Sequence, residues 1–338
     1  MNSIRYTVIL VLCLGVAAVA CGQSLTKTGT TAAQFLKIGV GPRAIGMGGA
    51  FTATADDNTS MYWNPGGLAR TYASEAFFNH VSWFADIRFD YAGFSTQVPG
   101  LGTLGAFVSV VSMDEMEVRT IERPEGTGEL FTAGALEVGL GYARNLTDDF
   151  AIGFNVKYVR ENIWNETAAG VGVDIGTIYR IPILNEFRIA ASISNFGSKM
   201  KMQGRDIIMI NQIGPGGGNL INTDLELGEY DLPLLFRVGV AVDAIKDETS
   251  RLTAAVDAVH PSDNTEYLNA GLEYGWNEIL FARAGMKSLF ERDTEQGLTL
   301  GVGVHYRVLD AVKVKVDYAY QDFGRLNGVH YLSLGVVF

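Results

Sequence analysis

The chain has 338 residues, of which 48% are hydrophobic and 19% charged, with 40 glycines and only 8 prolines. It is too apolar for a disordered chain, and after residue 20 no apolar run reaches the roughly 18 residues that a membrane-spanning helix needs. The net charge of -11 argues against a nucleic-acid partner, because phosphate binding needs clustered Lys and Arg.

Residues 1–22 are predicted to be an export signal peptide. Arg5 supplies the positive charge, residues 7–20 form a short apolar core, and Ala18 and Ala20 make a small-x-small cleavage site. Both cysteines of the chain lie in or beside this segment, so no disulfide framework is expected in the mature protein. Lipid attachment at Cys21 is the alternative. Ordinary cleavage is favoured because Ala18 stands where lipoprotein signals usually have Leu.

Residues 23–72 do not alternate and are predicted to form an N-terminal plug segment inside a barrel built by the rest of the chain. Residues 55–62 are expected to form a short helix capped by Asp56 or Asp57, and residues 64–67 a turn. Residues 39–69 are expected to lie inside the periplasmic half of the barrel. The residues predicted to build it are glycines, two aspartates and a Trp-Asn-Pro-Gly motif: Gly46, Gly48, Gly49, Asp56, Asp57, Trp63, Asn64, Pro65, Gly66 and Leu68.

Residues 73–338 are predicted to be all-β and to form a transmembrane antiparallel β-barrel of about 14 strands. Apolar and polar residues alternate with a period of two, as Val302 and Val304 do with Gly303 and His305. The alternating runs match the roughly 9 to 11 residues of a membrane-spanning strand. Side chains alone fill the interior of a barrel of about eight strands. A barrel of about 14 strands is wider, so an inserted segment is expected to fill it. The predicted strands are 74–84, 89–98, 103–112, 131–143, 150–162, 168–180, 187–197, 232–243, 251–260, 265–275, 279–287, 297–307, 311–320 and 328–338.

An even strand count puts both chain ends in the periplasm, with short turns on that side and longer loops outside. The longest external loops are predicted at 113–130 and 198–231, and loops beyond about 12 to 15 residues are usually functional or disordered. Ile207, Ile208, Met209 and Ile210 make the second loop unusually apolar, and a glycine-rich tip at 214–218 follows them. These four residues are predicted to bind a protein partner or to cover a hydrophobic ligand.

The last strand ends the chain on an aromatic residue. Leu334, Val336 and Phe338 lie on one face of it. This pattern resembles the recognition signal that the bacterial outer-membrane assembly machinery reads, and these residues are predicted to serve as that signal.

No catalytic, cofactor-binding or metal-binding residues are predicted. The glycine clusters at 39–41 and 214–218 lack the Lys-Ser/Thr of a nucleotide loop, and the four histidines have no metal-ligand spacing. His260 with Asp263 is the one candidate pair for a hydrolase at the barrel rim. A polar turn explains both residues equally well, and an enzyme needs several groups at fixed geometry.

Residues 39–69, GVGPRAIGMGGAFTATADDNTSMYWNPGGLA, resemble the start of the PorV/PorQ family within the FadL-like superfamily of outer-membrane barrels. Gly66 stands where the family usually has alanine. The resemblance implies a 14-stranded barrel with an N-terminal plug in the outer membrane of a Gram-negative bacterium. It implies either a protein-binding role in type IX secretion or surface attachment, or FadL-like transport of hydrophobic small molecules. The expected partners are outer-membrane lipid, the assembly machinery, and either secreted protein and translocon components or hydrophobic small molecules.

Overall fold

A computed structural model describes residues 27–183, 185–213, 219–291, 294–309 and 311–338. The predicted signal peptide, Cys21 and the glycine-rich tip at 214–218 lie outside these residues. Fourteen long strands dominate the chain, with 8 to 16 residues each. In chain order they are β1 Glu75–Ser82, β2 Arg88–Val98, β3 Gly102–Ser112, β4 Ala133–Asn145, β5 Phe150–Ile163, β6 Glu166–Ile181, β7 Phe187–Gly197, β8 Leu235–Lys246, β9 Ser250–Pro261, β10 Tyr267–Trp276, β11 Leu280–Leu289, β12 Leu298–Leu309, β13 Val312–Asp322 and β14 Gly328–Val337.

The fourteen strands form a closed barrel. Each strand pairs antiparallel with the next in sequence, and β14 returns to pair with β1 from Glu75↔Val337 to Ser82↔His330. The prediction of a 14-stranded antiparallel barrel is confirmed. Strand ends differ from prediction by a few residues. The eighth strand begins at Leu235 rather than at 232, because Leu232 instead packs in a buried apolar cluster and Pro233 has no N–H to donate to the ladder.

The two faces of the barrel wall differ as the alternation predicted. Along β12, Val302 and Val304 are 57% and 48% exposed on the outer face, whereas Gly301, Gly303 and His305 are buried on the inner face. Outward apolar side chains alternating with inward small or polar ones are typical of a barrel that faces lipid.

The two ends of the barrel also differ. At the end where β1 begins and β14 ends, the connections are short, and at the other end lie the two longest loops. The loop before β4 carries a hairpin of Met116–Glu117 and Leu130–Phe131. The loop before β8 carries Gln203–Gly204, paired with β6, and a hairpin of Ile208–Ile213 and Asn219–Asp224. Two 3₁₀ helices, Phe84–Asp86 and Gly324–Leu326, lie in shorter loops at the same end.

The N-terminal segment runs down the inside of the barrel. It holds a 3₁₀ helix Gln34–Lys37, α1 Pro42–Gly46, α2 Ser60–Trp63 and a 3₁₀ helix Pro65–Arg70. Among the described residues, no helix has the length and hydropathy to cross a membrane.

The predicted helix at 55–62 was wrong in its bounds, because the Asp57 carboxylate accepts hydrogen bonds from Thr59 and delays helix formation until Ser60. The predicted turn at 64–67 is the start of the 3₁₀ helix, where the Asn64 side chain accepts from Gly66 N at 3.0 Å.

Residues 39–69 are not confined to the periplasmic half, which corrects that expectation: Gly48 N donates at 2.9 Å to Oγ1 of Thr299, near the long-loop end of β12. At the long-loop end, Ala32 N donates to Asp231 O at 2.9 Å. At the short-turn end, the chain leaves the lumen after Arg70, and Ser74 pairs with Phe338. The segment thus spans most of the barrel height.

Candidate functional site

At several points the N-terminal segment lies directly against the backbone of the barrel wall. A Cβ added at Gly153 would overlap the carbonyl oxygen of Pro65, and one at Gly176 would overlap Asn64 Oδ1. Gly46 meets Gly301 in the same way, with a Cβ on Gly46 only 3.0 Å from the Gly301 Cα. Glycines on both partners therefore let the segment approach the strands at backbone distance.

The Trp-Asn-Pro-Gly motif holds three parts of the segment and the wall together. Asn64 Nδ2 donates to Thr52 O at 2.8 Å and to Thr177 O of β6 at 3.1 Å. Trp63 Nε1 donates to Val40 O at 2.8 Å, and Trp63 O accepts from Ser192 Oγ of β7 at 3.1 Å. All of the residues predicted to build the plug except Asp56 are buried in the lumen, and Asp56 is half-buried.

Arg43 forms ion pairs with three carboxylates, one on the barrel wall and two in its own segment. Its Nε and Nη2 bind the two carboxylate oxygens of Glu273 on β10 at 2.9 and 3.1 Å. Its Nη1 lies 2.5 Å from Asp56 and 3.1 Å from Asp57. Burial lowers the pKa of Arg43, but the charges of these three carboxylates outweigh it and raise the pKa well above its ordinary value. Arg43 was not among the residues predicted from the sequence, although it is the only basic residue between Lys37 and Arg70.

The inward-facing charges of the wall pair with one another and with the segment. Glu273 also accepts from Arg251 at 3.1 Å and from Arg283 at 2.7 Å. Lys157 lies between Glu137 and Asp174 at 3.2 and 2.9 Å. Removing one partner of such a buried pair leaves an uncompensated charge, which costs about 3 to 5 kcal/mol.

One more wall carboxylate acts on the segment backbone. Asp257 Oδ2 on β9 accepts from Phe51 N at 2.9 Å and from the N and Oγ1 of Thr52 at 2.8 and 2.6 Å. Next to Arg43, the lumen holds a cavity of about 20 Å³ lined by Asp57, Glu75, His305 and Lys315 among others. That space fits about one water molecule.

At the long-loop end of the barrel, the N-terminal segment binds the connection between β9 and β10. Asp263, between β9 and β10, accepts from Thr31 Oγ1 at 3.0 Å, Gln34 Nε2 at 2.8 Å and Lys37 Nζ at 3.0 Å. Burial raises the pKa of Asp263, but the hydrogen bonds from Gln34 and Lys37 and the charge of Lys37 outweigh it and lower the pKa below its ordinary value.

His260 and Asp263 do not act together. His260 Nδ1 lies 3.0 Å from Glu266 Oε1, while Asp263 is held by the segment. Within the described ranges, no group of three or more His, Cys, Asp or Glu side chains is placed to hold a metal ion.

The predicted external binding residues lie together on the hairpin Ile208–Ile213 and Asn219–Asp224. Ile208, Met209 and Ile210 are 44%, 53% and 69% exposed, and Ile207 is half-buried at the base of the hairpin. The opposite strand adds exposed Leu220 and Ile221. The hairpin was missed in the sequence, where two runs of six residues, IMINQI with three Ile and NLINTD with one, flank a glycine-rich link of the kind that joins paired strands.

The predicted assembly residues lie on the outer face of β14 and just beyond it. Leu334 and Phe338 are 49% and 55% exposed, Val336 is half-buried, and the Phe338 ring lies 6.4 Å from that of Phe94. Their side chains are therefore presented to the barrel exterior.

Residues 22–260 match the model of a family described as Type IX secretion system protein PorV. No curated protein matches the sequence. The structure is similar to the Pseudomonas putida toluene transporter TodX, with a TM-score of 0.56 and 14% identity over 88% of this chain and 96% of that chain. It is also similar to the Ralstonia pickettii toluene transporter TbuX, with a TM-score of 0.54 and 12% identity over 88% of this chain and 97% of that chain. These two likenesses show the barrel fold.

Proposed function

The chain belongs to the PorV family, and from this we propose that it is a protein-binding component of type IX secretion or surface attachment in the Gram-negative outer membrane. Its external loops take up exported protein or contact the translocon. The family match and the outer-membrane barrel agree with the resemblance carried by residues 39–69.

The observation that carries the proposal is the exposed hairpin on the longest external loop. Its apolar side chains stand in solvent at 44% to 69% exposure from Ile208 to Ile210. A surface of contiguous exposed apolar side chains is typical of a site that another molecule covers.

Replacing residues 206–225 with a Gly-Ser dipeptide tests this proposal. The ends of the excised hairpin are close, because Leu225 N donates to Ile207 O at 2.8 Å, so the barrel is expected to assemble. Exported proteins of the same cell are expected to lose surface attachment, measured by immunoblotting of intact cells. Full attachment with a normally assembled barrel would refute the protein-binding role.

The same variant separates the alternative, FadL-like transport of hydrophobic small molecules. On that reading the hairpin is a lid, and the variant would change uptake of a hydrophobic probe while leaving surface attachment intact. We favour protein binding because the matching family model is that of a secretion protein, and because the lumen cavity beside Arg43, at about 20 Å³ with charged walls, is a poor environment for a hydrophobic ligand.

We further propose that residues 23–72 act as a plug that seals the barrel. The support is the burial of most of residues 33–69 along the lumen and their contacts with strands on several sides, through Gly153, Gly176, Glu273 and Asp257. Deleting residues 24–62 is expected to give a barrel that inserts but conducts ions in planar bilayers. Equal conductance of the deleted and intact proteins would show that the segment is no plug.

Two further expectations belong to the proposal. Leu334, Val336 and Phe338 serve as the signal for the assembly machinery, supported by their position at the exterior of β14. We also expect no enzymatic role, and this is supported by the best candidate pair, because His260 and Asp263 are held by different partners.

A further inference from the structure

The apolar hairpin has free backbone on both sides. Ile208–Ile213 pairs only with Asn219–Asp224, and neither strand joins the barrel sheet or another described strand. An isolated two-stranded hairpin is marginally stable in water, and an exposed, apolar strand edge is a template for further pairing.

The register shows which backbone groups are free. Leu225 N donates to Ile207 O, so these opposite residues form a hydrogen-bonded pair, and in an antiparallel ladder such pairs alternate with non-bonded ones. Met209 and Thr223 are then bonded to each other, whereas Ile210 and Asn222 point their N–H and C=O outward to opposite edges. Ile208 N is already used, since it donates to Arg205 O at 3.2 Å.

The two edges offer different neighbours to an incoming strand. Beside Ile208 and Ile210, its side chains would meet apolar cross-strand partners, which stabilise strand pairing. Beside Asn222 and Asp224 on the opposite edge, it would meet polar ones. The edge of Ile208–Ile213 is therefore the better template.

The charge of the two long loops indicates what kind of strand would bind here. The loop at 113–132 carries six acidic residues and two arginines, and the loop at 198–234 carries five acidic and three basic residues. A strand flanked by Lys or Arg would be attracted to this end of the barrel, and an acidic one would be repelled.

We propose that the edge of Ile208–Ile213 binds its partner by strand addition, taking an extended, lysine-flanked segment of an exported protein as a third strand of the hairpin. Backbone hydrogen bonds at Ile210 and Gln212 supply the pairing, and Ile208 and Ile210 select alternating apolar side chains. This inference rests on the proposed function and specifies how that surface recognises its partner.

Two proline variants test the mode of binding. The probe is a fluorescent peptide, Lys-Lys-Val-Thr-Val-Thr-Val-Lys-Lys, titrated against the intact barrel in detergent and followed by anisotropy. Ile210→Pro removes one outward N–H at the favoured edge. Asn222→Pro removes the equivalent N–H from the opposite residue of the same pair, and so disturbs the hairpin to a similar extent at the other edge.

Ile210→Pro is expected to weaken binding about tenfold or more, and Asn222→Pro by less than about threefold. Ile210→Thr keeps the N–H and is expected to lie between them, and peptide binding is expected to weaken with added salt. Equal losses in both proline variants, or no loss in either, would overturn strand addition at this edge. If replacing residues 206–225 abolishes surface attachment while Ile210→Pro leaves peptide binding unchanged, the proposed function stands and this inference fails.

Discussion

Replacing Arg43 with Gln should loosen the N-terminal segment without disturbing the barrel wall. The guanidinium makes a two-point contact with Glu273 and reaches two aspartates of its own segment. Glu273 keeps Arg251 and Arg283 after the substitution, and Asp56, whose side chain is 35% exposed, can turn to water.

The expected cost therefore lies at the lower end of the 3 to 5 kcal/mol typical for breaking a buried ion pair, at about 3 kcal/mol. A loss of about 3 kcal/mol raises the population of the detached segment roughly 100-fold. Amide hydrogen exchange measures that population directly, because it reports the free energy of local opening.

Amides of α1 and α2 are expected to exchange roughly 100-fold faster in Arg43→Gln, with the amides of the barrel strands unchanged. Arg88→Gln is the matched control, because its ion pair with Asp114 is exposed on both sides, at 51% and 75%, and should contribute at most about 1 kcal/mol. Exchange within about threefold of wild type in α1 and α2 would refute Arg43 as the main fastening.

Three other perturbations have outcomes that follow from the same contacts. Val302→Arg places a charge on the lipid face near mid-strand and should cost about 2 to 4 kcal/mol in urea unfolding from lipid, whereas Val308→Arg near the short-turn rim should cost about 0 to 1 kcal/mol, and equal costs would contradict the assigned membrane position. Gly176→Ala should detach the segment and raise conductance, because its Cβ overlaps Asn64 Oδ1, while Gly335→Ala meets only ordinary contacts at 3.4 Å and should behave as wild type. The pKa of Asp263 is lowered in the folded protein, so its stabilising contact with Lys37 should be complete above about pH 4 and be lost as the pH falls below that value. Protease sensitivity of residues 27–38 should rise over that acidic window in wild type and be high throughout in Asp263→Asn, and a pH-independent wild type would contradict the assignment.

The barrel could be predicted because each strand carries its own signal. Alternation in β12 or β13 is complete within one strand, and the order of the strands in the wall follows their order in the sequence. The contacts of the lumen depend instead on residues far apart in sequence. Arg43 and Glu273 are separated by 230 residues, and Asp257 and Thr52 by 205, so their meeting depends on the stagger of the whole barrel, which no local pattern records.

The structure of the Trp-Asn-Pro-Gly motif could be predicted only in part from its sequence. Asn64 and Pro65 indicated a change of chain direction, which the 3₁₀ helix Pro65–Arg70 provides. The hydrogen bond from Asn64 to Thr177 of the wall could not be predicted from the sequence. An asparagine that caps a turn looks the same in a sequence as one that bonds to another strand.

The path of the N-terminal segment constrains the order of events during biogenesis. Its upper end is fastened at the long-loop mouth and its lower end continues into β1, the strand whose pairing with β14 closes the wall. Entry after closure would require some 40 residues to thread a finished ring and then find their ion pairs one by one. Closure around a segment already in place requires only that β14 pair with β1, from Phe338 at Ser74 to His330 at Ser82. The N-terminal segment therefore lies inside the ring before β14 pairs with β1 and closes the wall.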